Sequence, residues 1–521
     1  MNLLEDVWIP VRADGGTGPF RQISYEELLC GSEHWQVSLP RDDLEMACVQ
    51  LLICMTQVIF LPRDDRELRD RHDVPLDSDS YAKIIVPYRD WFDLNHPVHP
   101  FMQTRGVKGE PTSVQKLLPG MPEKTSTAPS AHCFFNEVDE VEYVSGAIAA
   151  IALFNQASNS PSFGGGFKGS LRGGSPITTL VVGDDLRTAV WHNVITLERV
   201  RERLPGYESD PEHDKPTWVD PVVREQKIPV AHIGLARGLF WQPARLELVL
   251  VDQDATCGVL GNRGPAYNGF RKEKFNFTVE GIWPHPHGVQ KANTKKGAIE
   301  WKFASFTTTA PAWTHLSEFV VPRSVGDGKE GQVPAAPVIQ TSQLYPGNAL
   351  HLWVGGYHTN QASVLERRHE LFSIAQGWND DRGRLEQLVD LGLDAKKALR
   401  GKLYFAVQGN KDKGLKGLGL PIYEAAEDLF YSSSEGLLHA VLRDEMTFRE
   451  FKTIRERLAT DLATLCRDIF TKLTDAFAVK PEYIPVIAVA RRNLEHDLKQ
   501  LIEGVQAHDQ RKRSKRDTQA A

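Results

Sequence analysis

Residues 448–477 read FREFKTIRERLATDLATLCRDIFTKLTDAF, and their apolar side chains return every three or four places: Phe448, Phe451, Ile454, Leu458, Leu462, Leu465, Ile469, Leu473 and Phe477. That period lays them along one face of an α-helix. A second stripe follows at Ile487, Ala490, Leu494, Leu498, Leu501 and Val505. An amphipathic rod must bury its apolar face against another element, and further helices are expected near 382–408 and 421–443. Residues 376–510 therefore read as a four-helix bundle. The run Arg511-Lys-Arg-Ser-Lys-Arg516 within residues 511–521 reads as a flexible basic tail.

Upstream, residues 1–375 are richer in Pro and Gly, with short β-rich pieces such as Arg245–Val251 and Lys274–Val279 between helices. The fold class expected is α+β, mixed and irregular, in an N-terminal domain over 1–375, joined to the C-terminal bundle. One helix is expected from Arg41 to Phe60, with Asp42 and Asp43 suited to its N-terminal dipole. A second spans about Val141–Asn155, and Val364–Phe372 reads as helical after a polar turn at Gly355–Ser363.

Length and composition bound the function. The chain has 521 residues, 41% of them hydrophobic, and a formal charge of −7, so it is not a uniformly basic nucleic-acid binder. Phosphate contact would have to come from local patches. One lies between Arg263 and Lys296, where seven Lys or Arg face two acids. The six cysteines at 30, 48, 54, 133, 257 and 466 form no CxxC pair, which fits free thiols in a reducing compartment and offers no zinc site. No signal or membrane-spanning run stands out, so a soluble cytoplasmic protein without membrane contact is expected.

The second helix leads into residues 160–176, SPSFGGGFKGSLRGGSP. Gly164, Gly165 and Gly166 can take left-handed dihedrals and expose bare backbone to an approaching polymer, while Lys168 and Arg172 suggest that the visitor is anionic. The spacing Gly164-x-Gly166-x-x-Gly169 imitates a dinucleotide fingerprint, but a helix leads in where a strand is needed. A Walker loop fails as well, since Lys168 is followed by Gly169. Around Tyr267–Phe277 aromatics interleave with Lys272 and Lys274, as phosphate attraction with base or sugar packing would use. Asn360 and Gln361 offer both donor and acceptor at a turn, the chemistry a probe of base edges needs.

No set of residues assembles a catalytic site. His285 and His287 are too few for a metal and read as loop histidines beside Trp283. His-Asp pairs at 72, 496 and 508 keep open a rival reading, a metal-dependent nuclease or phosphohydrolase.

Short motifs distributed over nearly the whole chain carry a resemblance: Asn2-Leu-Leu-Glu-Asp-Val-Trp-Ile-Pro-Val, Ser38-Leu-Pro-Arg-Asp-Asp, His99-Pro-Phe-Met-Gln-Thr, Ala152-Leu-Phe-Asn-Gln, the glycine island, Gly238-Leu-Phe-Trp-Gln-Pro, Trp283-Pro-His-Pro-His and Asn360-Gln-Ala-Ser. Together they resemble the large-subunit family, CasA or Cse1, of the type I-E CRISPR surveillance complex Cascade. The resemblance implies a non-catalytic subunit that recognises the protospacer-adjacent motif (PAM) of foreign double-stranded DNA from the minor groove. Such a subunit helps open the duplex for guide-RNA pairing (R-loop formation) in antiviral defence, and recruits a helicase-nuclease. Its implied partners are the DNA target, the guide-RNA complex with the other Cascade subunits, and that helicase-nuclease. It implies that Gly165 lies in the glycine loop, Lys274 is a lysine finger, Gln361 a wedge with Asn360 beside it, and Phe134 an aromatic near the guide. Lys168, Arg172 and Lys272 are auxiliary phosphate candidates. Some relatives carry two CxxC pairs suited to zinc. Here the matching places read Ser145-Gly-Ala-Ile148 and Cys257-Gly-Val-Leu260, so neither a metal nor another cofactor is expected.

Overall fold

The computed structural model describes residues 1–121, 140–224, 226–295, 298–326 and 330–519. Two units emerge: one holds residues 1–308, 322–344 and 352–371, the other 309–321, 345–351 and 372–521. Neither unit is a single stretch, since the second takes two segments that precede its main run from 372.

At the centre of the first unit lies α1 (Asp42–Ile59), in which Leu44, Ala47, Leu51, Leu52 and Met55 are wholly buried. It is apolar on nearly every side, as a helix enclosed by protein must be. Against it packs α2 (Gly146–Ser158), likewise buried along almost its full length. The Ser145 hydroxyl accepts from the Ile148 N–H and caps α2 at its start.

Small sheets surround these helices. β1 (Thr178–Val181) follows the glycine island. β2 (Arg245–Leu250) pairs antiparallel with β3 (Ala266–Glu273), and β4 (Phe277–Glu280) follows after a bend at Lys274–Asn276. β5 (Leu350–Asn360) and β6 (Ser363–Ile374) form a long hairpin, β5 lying between β6 and β1. Two expectations are corrected here. The turn is only Gln361 and Ala362, not Gly355–Ser363, and Val364–Phe372 is strand, not helix. Pairing along β5 overrides the local helical pattern of that segment, and alternate residues Ser363, Leu365 and Arg367 face outward.

In the second unit α3 (Gly383–Gln408), α4 (Ile422–Arg443), α5 (Phe451–Ala478) and α6 (Ile484–Gln519) pack as a helical bundle. Both apolar stripes turn inward: Leu458, Leu462, Leu494 and Leu498 are at most 1% exposed. Residues 511–519, expected as a flexible tail, continue α6 as helix, since Lys and Arg are good helix formers. Trp313, from one of the earlier segments, is fully buried against α3 at Gly392, where a Cβ would stand 2.9 Å from the ring. A mid-helix glycine costs about 1 kcal/mol relative to alanine; here it makes room for an indole.

The two WPHPH histidines lie in a loop beside Trp283, as expected, and that loop is interior. His287 is fully buried, with Nδ1 3.3 Å from the Gln50 amide nitrogen, and His285 stacks edge-on to Trp283. Burial holds His287 down to about 3, and holds His192 to about 4 with His72 beside it.

Two predictions follow from this core. Leu462→Ala should destabilise the bundle by about 3 kcal/mol in urea unfolding; a loss below half that would mean the stripe is not packed. The folded state refuses protons that unfolded histidines accept below about pH 6.5, so stability is full above that pH and falls as pH drops. The loss is about 2 kcal/mol per buried histidine by pH 5. His287→Gln should flatten that slope, and an unfolding midpoint unchanged from about pH 7 to pH 5 would contradict the assignment.

Candidate functional site

Beyond the end of α2 the chain makes a glycine turn whose geometry most side chains accept only at a cost. Gly164, Gly165 and Gly166 have φ of 72°, 57° and 88°, a region where a Cβ costs roughly 1–2 kcal/mol per residue. The Phe167 N–H closes the turn on the Gly164 carbonyl at 3.0 Å. The flanking rings brace it: Phe163 meets Phe167 edge-on at 5.5 Å and tilts over Phe270 at 5.6 Å. Lys272 places its ammonium 4.9 Å from the Phe163 ring and 5.9 Å from that of Phe167. With its base fixed, the turn leaves Gly165 and Gly166 exposed.

Lys274 reaches this turn from the bend after β3. Its exposed ammonium donates to the Gly165 carbonyl at 2.9 Å. Phe275 and Phe277 are buried, so the strand end puts aromatics into the core and the cation outside. An ammonium has three donors, so contact with Gly165 leaves capacity for an anion or a base-edge acceptor.

The hairpin tip arrives from the other side. Gln361 has φ 55° and is exposed, as is Asn360 beside it. Glycine or asparagine takes this left-handed position more easily, so an unbranched but bulky glutamine there is a strained choice. Ala362 completes the turn, and a Cβ on Gly164 would stand 3.3 Å from its methyl group. A Cβ on Gly166 would stand 3.5 Å from Lys274 Nζ. The glycine turn therefore touches both the lysine and the hairpin tip.

Buried polar groups hold that arrangement from below. Asn155 of α2 donates to the Tyr357 hydroxyl at 2.7 Å, and Tyr357 of β5 donates to Asp43 of α1 at 3.0 Å. Arg41 forks onto Asp43 at 2.7 and 3.0 Å. On β6, His369 pairs with Asp42 at 3.0 Å, and that hydrogen bond holds the Asp42 carboxyl down to about 2. The hairpin is thus tied to the two helices that lead to the loop.

Arg172 requires a correction. It is 5% exposed and donates inward to the Ser158 carbonyl at 3.0 Å, Asn159 Oδ1 at 2.6 Å and Thr178 Oγ1 at 3.0 Å. It cannot be a phosphate contact. Instead it joins the end of α2 to the start of β1 and closes the base of the island, and burial lowers its pKa to about 9. Lys168 is exposed, with no bonded partner among the described residues. Phe134 lies outside the described residues. Sequence reasoning missed Ala362 and the ring brace; the two phenylalanines flanking the glycines were the available signal.

The other candidate chemistry is dispersed. His72 lies edge-on to His192 at 4.5 Å, His496 bonds the Gln500 amide at 3.0 Å, and Asp497 pairs with Lys402 at 2.7 Å. The places matched to cysteine pairs do adjoin, since the Gly258 N–H donates to the Tyr143 carbonyl at 2.8 Å. Ser145 is used there as a helix cap, and the Cys257 sulfur accepts from the Leu260 N–H at 3.4 Å. One thiol and one capping hydroxyl do not make a zinc-binding set.

Two substitutions test the geometry. Gly164→Ala should destabilise the first unit by about 1–2 kcal/mol, read by denaturant unfolding, and a neutral result would mean that the turn relaxes freely. Gln361→Gly should raise stability by about 1 kcal/mol through relief of the left-handed side chain; a clear loss would deny the strain.

A family model described as CRISPR-associated protein Cse1 matches residues 2–469. Among solved structures, the chain is similar to Cse1 from Acidimicrobium ferrooxidans, at 16% identity and TM-score 0.69, covering 98% of each chain. It is similar to Thermobifida fusca Cse1, at 17% identity and TM-score 0.70, covering 96% of this chain and 98% of that one. It is also similar to a chain from a CRISPR RNA-guided surveillance complex, at 14% identity and TM-score 0.65, covering 95% and 99%. These identities speak for the fold; the family match rests on the sequence.

Proposed function

This chain belongs to the CRISPR-associated Cse1 family, and we propose that it is the non-catalytic large subunit of a Cascade complex that reads a short motif in duplex DNA through the minor groove. The observation that carries the reading is the convergence of an exposed glycine backbone, the Lys274 ammonium and the strained Gln361 tip on one surface.

Each part has a task in that geometry. The minor groove presents few distinguishing groups, so a narrow backbone turn with one cation gives permissive recognition of a short motif. Glycines keep the turn thin enough to approach the groove floor. Lys274 supplies the cation there, and Lys168 and Lys272 stand near the same turn for phosphate. Gln361, with Asn360 beside it, is the wedge: unstacking a base step costs a few kcal/mol, offset by groove and phosphate contacts until guide-RNA pairing takes over. The same reading has the subunit recruit the helicase-nuclease that degrades the opened target, in the cytoplasm. Among the described residues no helix is long and apolar enough to cross a membrane.

The function is tested in the assembled guide complex. Gln361→Ala should slow R-loop formation on a motif-bearing duplex while leaving assembly intact, and normal opening would refute the wedge. Lys274→Ala should weaken binding to that duplex and reduce the salt slope of log affinity by about one. An unchanged slope would mean that Lys274 meets neither phosphate nor groove.

A further inference from the structure

A cleft of about 1030 Å³ that shares no lining residue with the glycine turn opens in the first unit, between the segment that follows helix Leu197–Arg203 and the strand residues Gln290, Trp301 and Val333. Its volume lies at the upper end of what small-molecule sites enclose. Its charges are unevenly used. Asp214 already accepts from the Ala236 and Arg237 N–H groups at 2.7 and 3.1 Å and from the Tyr207 hydroxyl at 3.1 Å. Asp220 pairs with Arg237 at 2.9 Å. Glu208, exposed at the rim, is the remaining acid of the lining.

Of the basic groups, Arg237 is used by Asp220 and His213 by Asp210, whereas Arg203 and Lys227 are not paired with an acid among the described residues. Arg203 makes one long contact, Nε to the Pro284 carbonyl at 3.4 Å, and no acid pairs with it among the described residues. No hydrogen bond from its two terminal amino groups is seen among the described residues, and burial lowers its pKa to about 10 against the weaker pull of Glu202. Lys227 lines the same space, exposed and without an acid partner among the described residues. A half-buried guanidinium with unused donors is costly unless something anionic completes it. The cleft also holds two half-buried aromatics, Trp301 and Tyr207, which stack on no other ring among the described residues.

We propose that this cleft is a nucleotide-binding site, in which the Arg203 guanidinium and Lys227 ammonium take the phosphate and Trp301 and Tyr207 take the aromatic base. Aromatic faces and a guanidinium with unused donors lining one cleft offer the chemistry that a base joined to a phosphate needs. That chemistry could come from a free nucleotide or from one unit of a single strand.

Calorimetric titration of the full chain with AMP, adenosine, inorganic phosphate and an oligothymidylate strand tests it. AMP or the strand should bind at least about tenfold more tightly than adenosine or phosphate alone, and Arg203→Gln should cost that ligand about tenfold or more. Lys227→Ala, at an exposed position, should weaken the same ligand without changing the unfolding midpoint, and Lys274→Ala should leave AMP binding unaltered. Binding of AMP without the strand assigns a free nucleotide; a strand that competes with AMP and needs Arg203 assigns nucleic acid. Equal affinity for AMP and adenosine, binding of neither AMP nor strand, or binding indifferent to both Arg203→Gln and Lys227→Ala would overturn the proposal.

Discussion

The contact between the Gly164–Gly166 turn and the tip of the β5–β6 hairpin is the constraint on which the rest depends. Three consecutive residues hold left-handed dihedrals, and the first has Ala362 only 3.3 Å from where its side chain would begin. Any larger residue would push the tip away or open the turn. The Lys274 ammonium closes the group by bonding the Gly165 carbonyl at 2.9 Å. Elements distant in sequence thereby present one backbone surface, one cation and one carboxamide together.

Maintaining that surface requires unusual interior chemistry. Arg172 is buried with three neutral acceptors and no acid bonded to it among the described residues, although an unpaired interior charge is normally avoided. Its reward is geometric: one guanidinium fixes both ends of a glycine-rich loop whose own residues would otherwise remain mobile. Asp43, Tyr357 and Asn155 do the same for the hairpin. Since the chain as a whole is acidic, at −7, long-range attraction cannot carry DNA binding, and the proposed recognition depends on this local fit.

The sequence made some of this legible and hid the rest for physical reasons. Helical periodicity is local, so α1, α3 and α4 could be read within a residue or two, whereas α5 starts three residues after its stripe and α6 runs beyond its stripe at both ends. The glycine run declared its left-handed backbone because glycine takes that region without the cost a Cβ brings. Residues 363–372 misled because a strand stabilised by pairing with β5 need not carry a strong local signal. Arg172 misled because a cation beside exposed glycines suggests a solvent-facing role, while its acceptors at Ser158, Asn159 and Thr178 become visible only when the loop is closed. The meeting of Gly165, Lys274 and Gln361 followed from the family resemblance, not from periodicity or spacing. Trp313 could not be assigned to the bundle, since its segment precedes the bundle by some sixty residues and is captured through Gly392.

The most direct measurement is photo-crosslinking from position 361 in the complex assembled on a duplex whose motif is known, with the crosslinked nucleotide mapped. The account predicts adducts confined to the first base pairs next to the motif, lost when Gly164 is replaced by valine. Adducts spread along the duplex, found only on protein or guide RNA, or unaffected by that valine, would contradict it.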